Sequence, residues 1–354
     1  MKQPKNIESN ASHSAVFRPR RFLRNGHLQT IVGNFLTRHT SLPLPEDELV
    51  EVSSGGDLEV GAQITSQIAS QVLCHCHWQP AGVRATRPTV IIVHGLEGSS
   101  HSRYVIGNSD KLWQAGCNVV RMNMRNCGGT EQLTPTLYHS GLSNDVLVVM
   151  RHFIELYGLQ SLSLVGYSMG GNLVLKLAGE LGTGAPDQLR SVVGISPAVD
   201  LGPSADALHH PKNRLYELKF LRALLQRFRR KASLFPHAYD STRAVGIGSL
   251  REFDHRITAR YSGFSGADDY YYRAAAARVL DRIAVPTLIV HALDDPFVIL
   301  TADTRDKITS NPNITLIESP YGGHCAFLAD PVPASRYDGH WAEHTLLRFL
   351  LAHA

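Results

Sequence analysis

The chain has 354 residues, of which 43% are hydrophobic and 19% are charged, and its formal net charge at pH 7 is +4. This composition is typical of a folded globular protein and excludes an intrinsically disordered chain. The small positive charge argues against a nucleic-acid-binding protein, which needs a concentrated basic surface. No stretch offers the roughly 20 uninterrupted apolar residues that a membrane-spanning helix requires.

The first residues, MKQPKNIESNASHSAVF, lack the apolar core of a secretory signal, so we expect a cytoplasmic protein. An odd number of irregularly spaced cysteines favours reduced thiols. The segment Cys74-His75-Cys76-His77 has the residue types of metal ligands. Alternate side chains of a strand face opposite ways, however, so these four cannot converge on one ion. We therefore predict ordinary strand residues here and no metal site.

Residues 1–45 are predicted to form an irregular N-terminal extension, and short β-like runs follow at residues 48–52, 58–64 and 71–78. The pattern then changes to continuous apolar runs, of which PTVIIVHG is the first. Such runs are typical of strands that are buried on both faces of a parallel sheet. Further runs of this kind lie at residues 117–124, 161–166, 191–195, 286–290 and 314–317.

Helical patterns lie between these runs. Apolar residues recur at near-helical spacing over residues 145–157, 169–181 and 341–351. The alternation of strands and helices predicts an α/β protein with a doubly wound, mostly parallel sheet, formed as a single domain by residues 1–354. Residues 200–281 interrupt the alternation, and we predict that they form an inserted helical lid over one edge of the sheet.

The motif Gly166-Tyr167-Ser168-Met169-Gly170 places a serine after a predicted strand and before a predicted helix. This context distinguishes a nucleophile elbow from a chance Gly-x-Ser-x-Gly match. The elbow strains the serine backbone and leaves room only for small residues two positions before and after it. The helix N-terminus also favours a developing negative charge. We therefore predict Ser168 as a catalytic nucleophile; the alternative is a tight structural turn.

A nucleophilic serine needs a histidine base and a carboxylate that orients the base. Asp294 and Asp295 follow a predicted strand, at the edge of the sheet where catalytic groups of open α/β sheets lie. Asp295 is the predicted acid, and Asp294 is predicted to face away or to hold the turn. His324 follows two glycines and completes the chain order serine, acid, histidine. The competing histidines lack this order: His27, His94, His139 and His291.

An oxyanion hole requires N–H donors that are aimed at the reacting carbonyl oxygen. Met169, directly after the serine, is expected to supply one donor, and Leu96, in the glycine-rich loop after PTVIIV, is expected to supply the other. His94, Gly95 and Tyr167 lie at the exits of the same predicted strands. We predict that these three residues contact the substrate.

The insertion contains NRLYELKFLRALLQRFRRK, which combines an apolar stripe with many cations. One interpretation is a lid helix whose apolar side covers the core while its charges face water. The other is a surface in peripheral contact with anionic lipid, above a pocket that takes an acyl chain. The predicted apolar wall comprises Leu215, Leu218, Leu221, Leu224, Leu225, Phe228, Phe235, Phe253 and Phe264. The cations are Lys219, Arg222, Arg227, Arg229, Arg230 and Lys231.

The order of motifs resembles the YheT-like family of α/β-hydrolases from about residue 17 to the C-terminal helix. Two departures stand out: Asn126 replaces a usual glycine, and Ile299 replaces a proline that often follows the acid loop. The motifs that carry the resemblance are FRPRRFLRNGHLQT, VHGLEGSSHSRY, MNMRNCGGTE, YHSGLSND, GYSMGGN, REFDHRITARYSGFSGADDYY, ALDDPF and GGH.

The resemblance implies an α/β-hydrolase fold and an esterase-like serine hydrolase with the triad Ser168, Asp295 and His324. We expect hydrolysis of small aliphatic esters of short to medium chain length through an acyl-enzyme, with no metal or organic cofactor and no nucleic-acid partner. Three alternatives stay open at this point. They are acyl transfer to an alcohol, phospholipase-like hydrolysis of lipids, and a non-catalytic ligand-binding protein.

Overall fold

An eight-stranded sheet forms the centre of the structure, a computed structural model that describes residues 16–38, 40–52 and 69–354. The strands are β1 Glu46–Val52, β2 Ser70–His77, β3 Thr89–Val93, β4 Asn118–Met122, β5 Leu162–Tyr167, β6 Leu189–Ile195, β7 Thr287–Ala292 and β8 Ile314–Ser319. Their order in the sheet is β1-β2-β4-β3-β5-β6-β7-β8. The β1/β2 and β2/β4 pairs are antiparallel, and the other pairs are parallel. The predicted α/β-hydrolase architecture, with its mostly parallel sheet, is confirmed.

Helices connect the strands. They are α1 Gly26–Phe35, α2 Ala81–Arg84, α3 Arg103–Gln114, α4 Ser143–Tyr157, α5 Met169–Leu181, α6 Leu201–His209, α7 Arg214–Leu234, α8 Leu250–Phe253, α9 Ala259–Tyr261, α10 Ala267–Ala274, α11 Ala302–Ser310 and α12 Trp341–Ala352. A π-helical turn joins α8 to α9 at Asp254–Thr258. Short 3₁₀ turns lie at Glu131–Leu133, Gly182–Gly184, Pro211–Asn213, Ser241–Ala244, Ala276–Arg278 and Leu280–Arg282. None of the helices in the described ranges is long and apolar enough to cross a membrane.

The apolar strands are buried on both faces, as their continuous hydrophobic runs predict. Every residue of β3 is buried. Ile91 and Val93 belong to a core that includes residues of α4 and α5, whereas Val90 and Ile92 belong to a second core with residues of α3 and α12. The sheet thus separates two hydrophobic layers, and the loops at the carboxyl ends of the parallel strands stay available for a site.

Two parts of the N-terminal region differ from the sequence-based prediction or lie beyond it. The extension was predicted to be irregular, but residues 26–35 form α1, whose N-cap Asn25 accepts a hydrogen bond from the N–H of Leu28 (3.1 Å). The prediction was wrong because a short helix that contains two glycines gives a weak periodic signal. The predicted strand at residues 58–64 and residues 1–15 lie outside the described residues.

The strand that carries Cys74-His75-Cys76-His77 has the alternating geometry that was predicted. Cys74 and Cys76 point into the first core, while His75 lies 2.7 Å from the hydroxyl of Ser100 through Nδ1. His77 lies on the same face as His75, with Nε2 accepting from the guanidinium of Arg121 (3.2 Å). All five cysteines of the chain lie in the described ranges and are free.

Candidate active site

Ser168 lies at the turn between β5 and α5 in a strained conformation, with φ 54° and ψ −116°. Its N–H donates to the carbonyl of Ile195 (3.0 Å), and its carbonyl accepts from the N–H groups of Asn172 (3.1 Å) and Ala198 (3.2 Å). These bonds hold a backbone geometry that a residue other than glycine rarely adopts. The turn places the serine hydroxyl group at the positive N-terminal end of α5.

Close backbone approaches explain the glycines around this serine. A Cβ on Gly166 would lie 2.2 Å from the carbonyl oxygen of Gly170, and a Cβ on Gly170 would lie 2.3 Å from that of Val93. A Cβ on Gly95 would lie 3.1 Å from Cβ of Ser168. The loop after β3 therefore lies directly against the candidate nucleophile.

The two aspartates after β7 have different environments. Asp295 accepts a hydrogen bond at Oδ2 from Nδ1 of His324 (2.8 Å), and its other oxygen accepts from the N–H groups of Phe297 (3.1 Å) and Val298 (2.9 Å). Asp294 instead accepts from the N–H of Gly323 (2.8 Å) and so holds the loop that carries the histidine. The geometry favours Asp295 as the partner of His324.

His324 lies in a mixed apolar and acidic environment. Its ring packs against that of Phe297, with centroids 4.4 Å apart. Burial disfavours the imidazolium, but the electrostatic interactions of the ring with Cys325 and Asp295 outweigh burial, so the pKa of His324 is raised well above its ordinary value. A raised pKa makes this imidazole a stronger base. It also lowers the fraction of the imidazole that is neutral at low pH.

The other ring nitrogen of His324, Nε2, lies 3.6 Å from the sulfur of Cys325. In the part of the chain that the structure describes, Ser168 makes no side-chain hydrogen bond with this imidazole. Catalytic hydrogen bonds are often long in the absence of substrate and tighten when it binds. Cys325 therefore competes with Ser168 for Nε2 in this conformation.

Leu96 and Met169 carry the predicted oxyanion donors. Met169 is the first residue of α5, and Leu96 lies in a turn that is closed by a hydrogen bond from the N–H of Gly98 to the carbonyl of Gly95 (3.0 Å). The N–H of Gly95 is already bonded to the hydroxyl of Tyr104 (2.8 Å). Over residues 16–38, 40–52 and 69–354, neither predicted donor has an acceptor. The two N–H groups beside the nucleophile are thus available to an oxyanion.

The side chains of His94 and Tyr167, which were predicted to contact the substrate, do not face the candidate active site. His94 is fully buried, with Nδ1 2.8 Å from the carbonyl of Gly95 and Nε2 accepting from the N–H of Met124 (3.2 Å). Burial lowers the pKa of His94 to about 4. Tyr167 is also buried, and its hydroxyl accepts from the side chain of Asn108 (2.8 Å). Both side chains are buried, and neither lines the cavity described below; Gly95, the third predicted residue, lies against Ser168 through its backbone.

The remaining competing histidines occupy different positions. His291 is buried on β7, and burial lowers its pKa. Burial also lowers the pKa of His139, to about 3, where its ring packs edge-on against Phe264. His27 stacks on Tyr216. None of these three imidazoles has a carboxylate partner comparable to Asp295 among the described residues.

An apolar cavity of about 130 Å³ opens beside Ser168 and Met169. The insertion supplies most of its wall, and the segments that follow β3, β4, β5, β6 and β7 supply the rest. The apolar lining residues include Leu96, Leu208, Phe220, Leu224, Phe253 and Val298. Three of the predicted wall residues line the cavity, namely Leu224, Phe228 and Phe253, and the other six do not. Of those six, Phe235 packs beside Lys231, and Phe264 packs on His139.

The basic helix α7 differs in detail from the prediction. Leu215 is exposed rather than part of the apolar stripe, and two of the cations are not in open water. Lys231 is fully buried and donates to the carbonyls of Glu131 and Thr134, and burial lowers its pKa to about 7. Arg227 forms two hydrogen bonds with Glu97, in the turn that carries the predicted oxyanion donor. The physical reason is periodicity, because both cations fall beside the buried stripe.

Sequence reasoning missed the contribution of α1 to the site. Thr30 Oγ1 accepts a hydrogen bond from the N–H of His324 (2.8 Å) and donates to the carbonyl of Gly26 (2.7 Å). A Cβ on Gly26 would lie 1.9 Å from the carbonyl oxygen of Asp294. Gln29 exchanges two hydrogen bonds with the backbone of Leu328. The motif GHLQT was the available signal, because these residues support the acid and histidine loops.

The two departures from the family pattern have structural explanations. Asn126 has φ 66°, in the left-handed region that glycine and asparagine tolerate best, and its side chain donates to the carbonyl of Thr136 (2.9 Å). Ile299 uses its backbone N–H, which a proline would lack, to donate to the hydroxyl of Ser204 (3.1 Å). Both loops therefore keep defined conformations.

One cluster in the described ranges has the donor spacing of a metal site. It consists of Asp338, His340 and Glu343, whose ligand atoms lie within 4.8 Å of one another. Lys111 already donates to both carboxylates, and Arg38 pairs with Glu343. These cations supply the positive charge that a metal would bring, so the cluster is a largely buried ion-pair network.

A strained serine, a histidine–aspartate pair and free N–H donors at the carboxyl edge of this sheet are the features of an α/β-hydrolase. The sequence profile of the α/β hydrolase fold family matches residues 88–331, and the chain belongs to this family. The resemblance to YheT-like hydrolases is also confirmed. The protein is 29% identical over 320 residues to YheT of Escherichia coli (strain K12), which is named provisionally as an esterase; the match covers 90% of this chain and 88% of YheT.

Two further comparisons give a second relative and a solved structure with the same fold. The chain is 30% identical over 303 residues to phospholipase ABHD3 of Bos taurus, and the match covers 85% of this chain and 70% of the relative. A Pyrococcus furiosus esterase superposes with a TM-score of 0.52 at 14% identity, covering 97% of this chain and 99% of the other, which shows a shared fold. The protein is thus an α/β-hydrolase, and its relatives include a provisionally named esterase and a phospholipase.

Proposed function

We propose that the protein hydrolyses carboxylic esters with Ser168 as nucleophile, His324 as base and Asp295 as the orienting acid. The observation that carries this proposal is the 2.8 Å bond between Asp295 and His324 at the edge of the sheet where the strained Ser168 faces an apolar cavity. The relation to YheT and ABHD3 supports the same reaction class.

The reaction follows from these positions. Nε2 of His324 takes the proton of Ser168 while the serine oxygen attacks the ester carbonyl, and Asp295 stabilises the imidazolium through Nδ1. The N–H groups of Leu96 and Met169 bind the oxyanion. His324 then protonates the leaving alcohol, and water releases the acid from the acyl-enzyme by the same route in reverse.

The substrate class follows from the cavity. Its lining is mainly apolar, and it adjoins the nucleophile, so we assign it to the acyl chain of an uncharged aliphatic ester of short to medium length. Phospholipid esters are the second candidate, favoured by the 30% identity to a phospholipase. Acyl transfer to an alcohol would use the same acyl-enzyme, and product analysis with and without added alcohol separates it from hydrolysis.

The nucleophile is tested with Ser168→Ala. This variant should lose p-nitrophenyl ester hydrolysis and labelling by a fluorophosphonate probe by at least about 10³-fold, while its melting temperature stays close to wild type. The control is Ser233→Ala, which removes an exposed serine of α7 and should keep both signals. Persistent hydrolysis or labelling in the first variant would refute the assignment, and an unlabelled wild type would favour a ligand-binding protein.

A further inference from the structure

Helix α1 has one face in the protein and one face in solvent. Its inner face carries Gly26, Gln29 and Thr30, which support the catalytic loops. Its outer face carries Leu28, Ile31 and Phe35, whose exposed fractions are 47%, 44% and 72%. The spacing i, i+3 and i+7 places these three side chains in one stripe. A stripe of large exposed apolar side chains on an ordered helix is a candidate interaction surface.

The stripe lies close to the candidate active site. His27, between the two faces of α1, stacks on Tyr216 with ring centroids 5.7 Å apart. Tyr216 packs on Phe297 (5.2 Å), and Phe297 packs on His324 (4.4 Å). Leu215, the neighbour of Tyr216 in α7, is 82% exposed. Three ring contacts therefore connect α1 to the catalytic histidine, and the exposed apolar surface continues onto α7.

Cations lie in the chain segment that directly precedes the helix with this stripe. The segment that leads into α1 carries exposed Arg18, Arg20, Arg21 and Arg24, together with Phe22, which is 80% exposed. Arg20 lies 3.6 Å from Asp330, in a pair whose side chains are both half exposed. For the other three arginines, the described ranges contain no carboxylate partner. Apolar side chains beside arginines match the headgroup region of a bilayer, where acyl chains lie below anionic phosphates.

We propose that Leu28, Ile31 and Phe35, with the arginines of residues 18–24, dock the protein on the surface of an anionic lipid bilayer. The arginines contact lipid phosphates, and the apolar stripe enters the headgroup region in the plane of the membrane. This docking places the loop that carries His324 near a lipid surface, from which an ester reaches the cavity beside Ser168. The surface differs from the basic face of α7, three of whose cations, Arg227, Arg230 and Lys231, bind the protein itself.

The test is flotation of the full chain with vesicles of phosphatidylcholine alone or mixed with phosphatidylserine. Wild type should float with the mixed vesicles and much less with phosphatidylcholine. The variant Leu28→Ser, Ile31→Ser, Phe35→Ser should bind mixed vesicles roughly tenfold or more weakly, because three apolar anchors are lost. The variant Arg21→Gln, Arg24→Gln should weaken binding to mixed vesicles selectively, and added salt should have the same effect.

A matched control replaces exposed apolar residues at the opposite edge of the sheet. Val83→Ser, Leu156→Ser changes α2 and α4 near the amino ends of β3 and β5, and it should float like wild type. Wild type that ignores mixed vesicles, or a triple variant that floats like wild type, would overturn the proposal. Hydrolysis of a soluble p-nitrophenyl ester, measured in parallel, reports the proposed function separately, because flotation requires no chemistry.

Discussion

At the scale of single residues, the backbone strain at Ser168 has a definite energetic consequence. A residue other than glycine in such a conformation costs on the order of 1–3 kcal/mol, and it persists only where its surroundings fix it. Ile195, Asn172 and Ala198 provide that fixation through three backbone hydrogen bonds. The strain is therefore tolerated where it exposes a hydroxyl group at a helix N-terminus, which is its use in the proposed reaction.

The aspartate pair provides a prediction about the acid. Asp295→Asn should lower kcat by about 10⁴, because an amide cannot hold the productive tautomer of His324 as a carboxylate does. Asp294→Asn should lower kcat much less, since an amide oxygen can still accept from the N–H of Gly323. Steady-state kinetics on a p-nitrophenyl ester measure both. The reverse ranking would assign the catalytic role to Asp294.

Cys325 provides a prediction about pH. The proposed base must be neutral, so kcat/KM should fall as pH falls through the pKa of His324, which lies above the ordinary imidazole value. Cys325→Ala removes one of the two groups whose interaction with the ring raises this pKa. The acid limb of the kcat/KM profile should therefore move to lower pH, and the rate on the acid side of the limb should rise.

The control for this prediction is Cys117→Ala, which removes a buried thiol in the second core, with no contact to His324. Its acid limb should stay where wild type has it. If the Cys325 variant also keeps the wild-type limb, the thiol does not influence the imidazole, and the interpretation of the 3.6 Å contact is wrong.

Sequence reasoning was most effective for residues whose chemistry depends on local spacing. The glycines at positions 166 and 170 identify the elbow, and the structure shows the backbone contacts that require them. The sequence shows that Asn126 departs from the family pattern, but it does not show that this residue has a positive φ. The positions of His94 and Tyr167 could not be predicted, because a strand-exit residue can point into the core or into the site.

At the scale of elements, the parallel strands were predictable because their side chains are apolar on both faces, as β3 and β5 show. Helix α1 was not predictable with the same rule, because its stability comes from packing against the loops that carry Asp294 and His324 rather than from a strong periodic pattern. The cations of α7 show a related limit. Charge alone predicted exposure for Lys231, whereas its ammonium group donates hydrogen bonds to the carbonyls of Glu131 and Thr134 inside the protein.

Helix α7 provides a prediction that links the insertion to the oxyanion turn. Arg227 donates twice to Glu97, and the side chains are 15% and 9% exposed, so removal of Arg227 leaves a nearly buried carboxylate. Arg227→Met should lower the free energy of unfolding by about 3 kcal/mol. It should also lower kcat between about 10- and 100-fold, because the turn that carries the Leu96 donor loses its position.

A double-mutant cycle distinguishes this pair from a general loss of charge. Adding Glu97→Gln to Arg227→Met should restore part of the stability, with a coupling energy of about 1–3 kcal/mol. Arg229→Met, on the exposed face of the same helix, is the control and should change neither quantity appreciably. Additive losses in the cycle would show that the two side chains are not coupled.

At the scale of the whole molecule, the order of the strands assembles the site. Ser168, Asp295 and His324 follow β5, β7 and β8, and all three strands end at the same edge of the sheet. Their convergence could be predicted because parallel strands share this edge. The shape of the cavity could not, because helices of the insertion, which are distant in sequence, must pack before a wall exists.

The cavity provides the prediction about acyl length. Each methylene group that moves from water into the apolar lining contributes about 0.8 kcal/mol. Two added carbons should therefore raise kcat/KM by about tenfold, because about 1.4 kcal/mol corresponds to one decade in rate. The increase should stop, and kcat/KM should fall, once the chain fills a cavity of about 130 Å³. A series of p-nitrophenyl esters from acetate upward measures this dependence directly.

A substitution in the wall tests whether this cavity, rather than the surface, selects the chain. Ala205 is buried on α6 and lines the cavity, so Ala205→Phe should fill part of it and move the optimum to shorter esters, while acetate is affected least. Ala81→Phe, at an exposed position of α2, should keep the wild-type optimum. A flat dependence on acyl length in wild type, or an optimum that Ala205→Phe leaves in place, would show that the chain binds elsewhere.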